Sequence, residues 1–173
     1  LTLLLGLSLA LALPTESPSC APLVQITFDN TTIPTLLGEW FYIAGASRYP
    51  PLLEELRALT YEAFTFSPGS HEDELNVTAI TRLNETCVVR NYSKVQVFRE
   101  NSTLMHVDDN QVVSVARLIQ NDKGLLILHH VNIDFPSLSL SARTPNVSKE
   151  HIEEFKVHLH CLGFTEEDVF YTS

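Results

Sequence analysis

Gly38-Glu39-Trp40-Phe41-Tyr42-Ile43-Ala44-Gly45-Ala46-Ser47 contains the only Trp of the chain, and the rest of the sequence is read outward from it. Its alternation fits a β-strand, with Trp40, Tyr42 and Ala44 on one face and Phe41, Ile43 and Gly45 on the other. Gly38 permits a sharp turn into the strand and lets the indole lie close to the main chain. Taken alone, the stretch fits an ordinary half-buried strand with a core Trp. Its neighbours decide the matter.

At 173 residues the chain suits one domain with a substantial core. Residues 1–12 are uncharged, nearly all apolar and too short to cross a bilayer, and they end in the small-x-small pattern Ala10-Leu11-Ala12. They read as the back half of a secretory signal peptide whose basic start and initiator Met lie upstream of Leu1. The mature chain, 13–173, is then expected to be a single soluble, secreted, extracellular domain. No later stretch is long and apolar enough for a transmembrane helix. The net charge of −10 argues against nucleic acid and anionic membranes as partners, and its simplest role is solubility.

Cys20, Cys87 and Cys161 make an odd count. In a secreted chain that means a free thiol, an intermolecular bridge or a partner missing from the sequence, and a fourth cysteine is expected beyond Ser173. Sequons begin at Asn30, Asn76, Asn84, Asn91, Asn101 and Asn146, six of the nine Asn residues, which predicts heavy N-glycosylation.

An irregular lead, residues 13–35, carries Cys20. After the Trp strand, Pro50-Pro51 stops the chain, and Leu52–Arg57 fits a helical turn over one end of the later strands. Strand patterns then recur at 59–67, 73–82, 86–99, 101–108, 111–120, 124–133 and 137–143, separated by turn clusters such as Ser67-Pro68-Gly69-Ser70 and Asn121-Asp122-Lys123-Gly124. Eight strands on short connections predict an all-β fold, an antiparallel up-and-down barrel with room for one small ligand. A glycan on Asn76 has to leave outward, so Leu75, Val77, Ala79 and Thr81 face inward by the period of two. One helix is expected: Ser148 caps it, Ile152, Phe155, Leu159 and Leu162 form the stripe that lays it on the barrel wall, and Gly163 ends it. Thr165-Glu166-Glu167-Asp168 begins a short acidic turn.

Together, the Gly-x-Trp strand, seven further strands, the single C-terminal helix and Ala142-Arg143-Thr144-Pro145 between the last strand and that helix resemble the lipocalin family. The resemblance implies that Arg143 stacks on Trp40 at the closed end of the barrel, with Gly38 before it. Asn121-Asp122-Lys123 matches the family's third conserved turn poorly. The resemblance also implies a Cys20–Cys161 disulfide, with Cys87 bonded to a residue beyond Ser173. Within the family the likeness is strongest to heavily glycosylated plasma members, on Phe64-Thr65-Phe66-Ser67-Pro68, Arg99-Glu100-Asn101-Ser102-Thr103 and Asp168-Val169-Phe170-Tyr171-Thr172. That implies a plasma carrier of lipophilic small molecules such as drugs and steroids, monomeric, with acute-phase and immune-modulating behaviour. A lipid-carrying branch shares the strand ending Ile-Ala-Gly-Ala, but keeps its signal segment as an anchor and lacks such a sequon load. An interaction protein acting through its glycans and acidic surface is the alternative of a different class.

Strand parity and the resemblance together place Tyr42, Glu62, Phe64, Phe66, Val77, Ala79, Leu104, His106, Val113, Val115, Leu128, His130, Ser139 and Ser141 on the cavity wall. Apolar walls supply affinity by burial, and a few polar groups set orientation. The family's cavity carboxylate, Arg and Tyr fall here on Ala79, His106 and Ser141. Glu62 shares parity with Phe64 and Phe66 and is the residue able to supply a negative charge instead. His106 and His130 are candidates for titration near neutral pH, against the simpler reading of buried neutral imidazoles. His129 and His130 point to opposite faces of a strand, while His158 and His160 diverge on a helix, so no metal is expected. The sequence has no Gly-x-Ser-x-Gly, phosphate loop or Cys-x-x-Cys. Neither enzymatic activity nor a cofactor is expected.

Overall fold

The computed structural model describes Cys20 and residues 26–107, 113–131 and 136–172, without the side chains of residues 91, 92, 107 and 113. The expected signal segment, and all of the lead before Ile26 except Cys20, lie outside the described residues.

Eight antiparallel strands close into a barrel. They are β1 (Gly38–Ser47), β2 (Leu59–Pro68), β3 (Glu74–Leu83), β4 (Thr86–Phe98), β5 (Thr103–Val107), β6 (Val113–Gln120), β7 (Leu125–His130) and β8 (Ser137–Ala142). Consecutive strands pair in order, and β1 completes the ring by pairing with β8 along Phe41–Ser47 and with β2 along Gly38–Phe41. Closure pairs the first strand of the hairpin run with the last, which is how a run of short hairpin connections avoids leaving both of its outer strands as open edges.

Three further elements are fitted to this barrel. A short helix, α1 (Thr32–Leu36), stands within the stretch expected to be an irregular lead. Five residues are too few for periodicity to register, and the cue lies just before them. Asp29 Oδ1 accepts from the backbone N–H groups of Thr31 and Thr32 at 2.8 and 2.9 Å, collecting donors that a helix start leaves unpaired. A second helix, α2 (Pro50–Ala58), starts on the two prolines, as expected of residues whose missing N–H costs nothing at a first turn. The third, α3 (Lys149–Cys161), is capped by Ser148 Oγ, which accepts from His151 N–H at 3.2 Å. Its Phe155 and Leu159 are buried against Ile43, Ala44, Leu125, Ile127, Leu138 and Leu140 on the outer wall of the barrel, with Ile152 and Leu162 packed alongside. Each fully buried side chain of this size contributes about 1.5–3 kcal/mol.

A ninth strand, β9 (Val169–Tyr171), follows the acidic turn and pairs with β1 over Ala44–Ala46. It accompanies a departure from the expected alternation. The register of β1 against β8 shifts between Tyr42 and Ala44, so that Gly45, not Ala44, lies on the Tyr42 side. The bulge turns the Tyr42 and Ile43 carbonyls out of the regular ladder. Thr172 then donates its hydroxyl to both, at 2.9 and 3.0 Å, and its N–H to Ile43 O at 2.8 Å. Alternation within the strand carries no mark of such a shift.

The closed end is built on Trp40, which is 1% exposed. Its Nε1–H donates to Leu36 O at 2.8 Å, and the Arg143 guanidinium lies 3.7 Å from the ring centroid. That guanidinium also donates to the carbonyls of Glu39, Thr35 and Leu37 at 2.7–2.8 Å. Gly38 has a φ of 97°, and a Cβ there would meet Arg143 Nη1 at 3.2 Å, so both conformation and space favour glycine. The poorly matched turn Asn121-Asp122-Lys123 joins the same end through Asn121 Nδ2, which donates to Thr35 Oγ1 at 2.8 Å. Cys20 and Cys161 form a disulfide that ties the lead to the end of α3.

Candidate functional site

The barrel encloses a cavity of about 350 Å³ above the Trp40 floor. Of the residues assigned to its wall from sequence, Tyr42, Glu62, Phe64, Phe66, Val77, Ala79, Leu104, His106, Leu128, His130, Ser139 and Ser141 do line it. Val77, Ala79 and Thr81 face inward, as an outward glycan on Asn76 requires, and Leu75 is buried in the core below.

Val115 corrects one assignment. In β6 the register sets Ser114 opposite His106 and Ala116 opposite Leu104, so the even-numbered residues face the cavity. Val115 contributes instead to the open rim and to a groove on the outer face with Met105 and Ile119. Val113, assigned by the same parity, has its side chain outside the described residues. The misassignment has a simple cause: β6 carries apolar residues on both faces, and Val115 lies on the outward one. Sequence reading also misses Arg90, Ser93 and Val95 of β4, which line the cavity. Their register depends on a shift between Val77 and Ala79 in the pairing of β3 with β4.

The cavity has two different walls. Phe64, Phe66, Val77, Ala79 and Val95 make an apolar one on β2–β4, with the two phenyl rings edge-to-face at 5.4 Å. His106, Ser114, His130, Ser139, Ser141 and Tyr42 make a polar one on β5–β8 and β1. The Tyr42 ring lies across Gly45, where a Cβ would fall 1.9 Å from the phenol oxygen, so glycine is needed for the ring to lie there. At the open rim, Leu52 and Leu56 of α2 enclose a further space of about 300 Å³ that shares Tyr42, His130 and Ser139 with the interior.

Glu62 is the one carboxylate among the described lining residues. Burial raises its pKa, while the Thr81 hydroxyl, donating to Oε2 at 3.0 Å, and the Arg90 charge pull the other way. Burial, reinforced by the Glu62 charge, pushes the Tyr42 phenol far above its ordinary value, so it stays protonated.

His130 is held neutral. Burial, aided by His129, lowers its pKa from 6.5 to about 4, and its Nε2 shares a 2.9 Å hydrogen bond with Ser139 Oγ. It is therefore not a switch near neutral pH. The unfolded chain takes up this proton near pH 6.5 and the folded chain only near 4, so stability present above 6.5 is lost as pH falls toward 4, by roughly 3 kcal/mol. Glu62, with a raised pKa, acts in the opposite sense, its contribution being lost as pH rises. Comparing His130→Gln with the parent by urea denaturation from pH 7 to 4 isolates the His130 contribution. The parent should lose the larger amount, and parallel pH profiles would contradict this assignment.

Comparison with known proteins places this geometry. Residues 3–170 match the family model described as the ApoM domain. Among curated relatives, α1-acid glycoprotein of Oryctolagus cuniculus is 32% identical over 96% of this chain and 83% of its own length. That of Bos taurus is 29% identical over 92% and 80%, and apolipoprotein M of Rattus norvegicus is 25% identical over 86% and 80%. Among solved structures, the siderocalin Ex-FABP superposes with a TM-score of 0.66 at 17% identity, over 78% of this chain and 91% of that one. A dog lipocalin allergen gives 0.62 at 19% identity, over 79% and 92%.

Proposed function

This chain belongs to the ApoM-domain family of lipocalins, and on that premise we propose that it is a secreted plasma carrier of lipophilic small molecules held in the barrel cavity. The observation that carries the reading is the interior space of about 350 Å³, with an apolar patch on β2–β4 and a limited set of polar groups around it. Such a space removes a lipophile from water on its apolar wall and orients it by a few hydrogen bonds. The relatives named α1-acid glycoprotein support a glycosylated carrier, for which acute-phase and immune-modulating behaviour is part of the proposal. Sequons at Asn30, Asn76, Asn84, Asn101 and Asn146 lie on exposed or half-buried positions that suit such a coat, and the Asn91 side chain lies outside the described residues. The apolipoprotein M relative supports a lipid cargo as the second reading. Among the described residues no helix is long and apolar enough to cross a membrane.

Cys87 is exposed and has no disulfide partner among the described residues. Its partner is proposed to lie beyond Ser173, in keeping with the odd number of cysteines in the sequence.

Glu62 sets the preference among ligands. A carboxylate in a low-dielectric wall attracts a cationic lipophile more than a neutral one, by a few kcal/mol at most once Arg90 is counted. In displacement of a fluorescent lipophile, Glu62→Gln should weaken binding of cationic lipophiles about tenfold and leave neutral ones within about twofold. Equal losses for both, or none, would remove Glu62 from this role.

A further inference from the structure

We propose that His106 Nε2 is the anchoring point for a hydroxyl group on the cavity's ligand, a refinement that rests on the carrier reading. His106 stands on β5 just above Leu104, which belongs to the apolar floor with Trp40, so it is the first polar group above that floor on its strand. It faces the cavity, and its Nε2 is buried and has no hydrogen-bond partner among the described residues. Its register neighbours leave it so. Val95 on β4 is apolar, and Ser114 on β6 is not bonded to it.

An unpaired buried nitrogen of this kind costs free energy comparable to a lost hydrogen bond. The other imidazole of the wall shows the contrast, because His130 Nε2 is already paired with Ser139 Oγ. The group that completes His106 has to come from what fills the cavity. The chemistry of the wall defines it. The polar neighbours here, Ser114, His130, Ser139, Ser141 and Tyr42, are neutral, whereas the charged pair Glu62 and Arg90 sits on β2 and β4. A neutral head is therefore favoured on this side. A hydroxyl both donates and accepts, so it satisfies Nε2 whichever ring nitrogen carries the proton. The apolar remainder of the ligand then lies toward Phe64, Phe66 and Val77. The ligand class is a lipophile that turns a hydroxyl group, and no charge, to the His106 side of the cavity.

The test is a cycle of two ligands and two proteins. n-Octanol and n-octane share a chain and differ in the hydroxyl, and both are measured by displacement of a fluorescent lipophile from the parent and from His106→Phe. The larger desolvation cost of the alcohol cancels in the cycle, as does any general change in cavity volume. The octanol-to-octane affinity ratio should fall about tenfold in His106→Phe and recover most of that in His106→Gln. In the parent, the His106 imidazole ¹⁵N resonances should move with octanol and not with octane. A ratio unchanged within about twofold, in variants with parental circular dichroism and melting point, would overturn the proposal and leave the cavity as an unselective lipophile site. A water that merely occupies the position gives that same flat ratio. Failure of every lipophile to enter the parent protein would overturn the carrier reading itself, and this proposal with it.

Discussion

Arg143→Ala is expected to destabilise the fold by roughly 3–4 kcal/mol, the larger part of which Arg143→Lys will not restore. The guanidinium stacks on Trp40 and donates to three carbonyls, those of Thr35, Leu37 and Glu39. Hydrogen bonds from a charged donor are each worth about 1.5–3 kcal/mol, and cation–π contacts about 0.5–2 kcal/mol. Two of the three bonds are exposed, and groups acting as a unit do not add, so the total stays below the sum. A lysine ammonium is a single point of charge and cannot span α1, the turn into β1 and the indole face at once. A loss of this size lowers the melting point of a domain this long by about 10 °C. Trp40 is the only Trp, so its emission reports on the closed end directly and should shift to the red in both variants. A melting point unchanged in Arg143→Ala would mean that the floor is held by the Trp40–Leu36 bond and apolar packing alone.

The second large effect belongs to the disulfide. Cys20 and Cys161 are separated by 141 residues, and a loop of that length corresponds to roughly 5 kcal/mol in the chain-entropy model, where measured losses are typically about 2–5 kcal/mol. Cys161→Ser should therefore lower urea stability by several kcal/mol. Cys20→Ser should lower it equally, and the double variant no further, because either single change already opens the loop. Hydrogen exchange should rise first in residues 26–31, just before α1, since α3 keeps Phe155 and Leu159 in the wall when the bridge is gone. Additive losses in the double variant would show that the two cysteines contribute through packing and not through the bond.

Most of this architecture is legible in the sequence because the barrel writes a period of two into nearly every strand. Where one face is charged or carries a sequon the inward set follows, as the Asn76 sequon shows for Val77, Ala79 and Thr81. The reading fails where alternation is ambiguous or interrupted. β6 carries apolar residues on both faces, and only pairing with β5 decides that Ser114 and Ala116 face inward. The bulge at Tyr42–Ala44 turns Gly45 to the cavity side and leaves two carbonyls for Thr172, a contact 130 residues away that no local pattern encodes. Arg90 sits across a similar register shift. For α1, the Asp29 cue is visible, but five residues are too short for a helical stripe. The polar character of the cavity is partly legible, since strand parity and resemblance bring His106, His130, Ser139 and Ser141 to it. That His130 is paired and His106 is not is a matter of distances between strands.

The carrier claim is tested most directly by native mass spectrometry of the protein with a neutral lipophile, beside a Val77→Trp variant. Val77 is half-buried on the cavity wall, so an indole there fills the space while the Trp40 floor stays intact. A barrel carrier predicts one lipophile per chain in the parent and none in the variant, with both proteins showing the same circular dichroism. Equal occupancy in the two would place binding outside the barrel and contradict that claim.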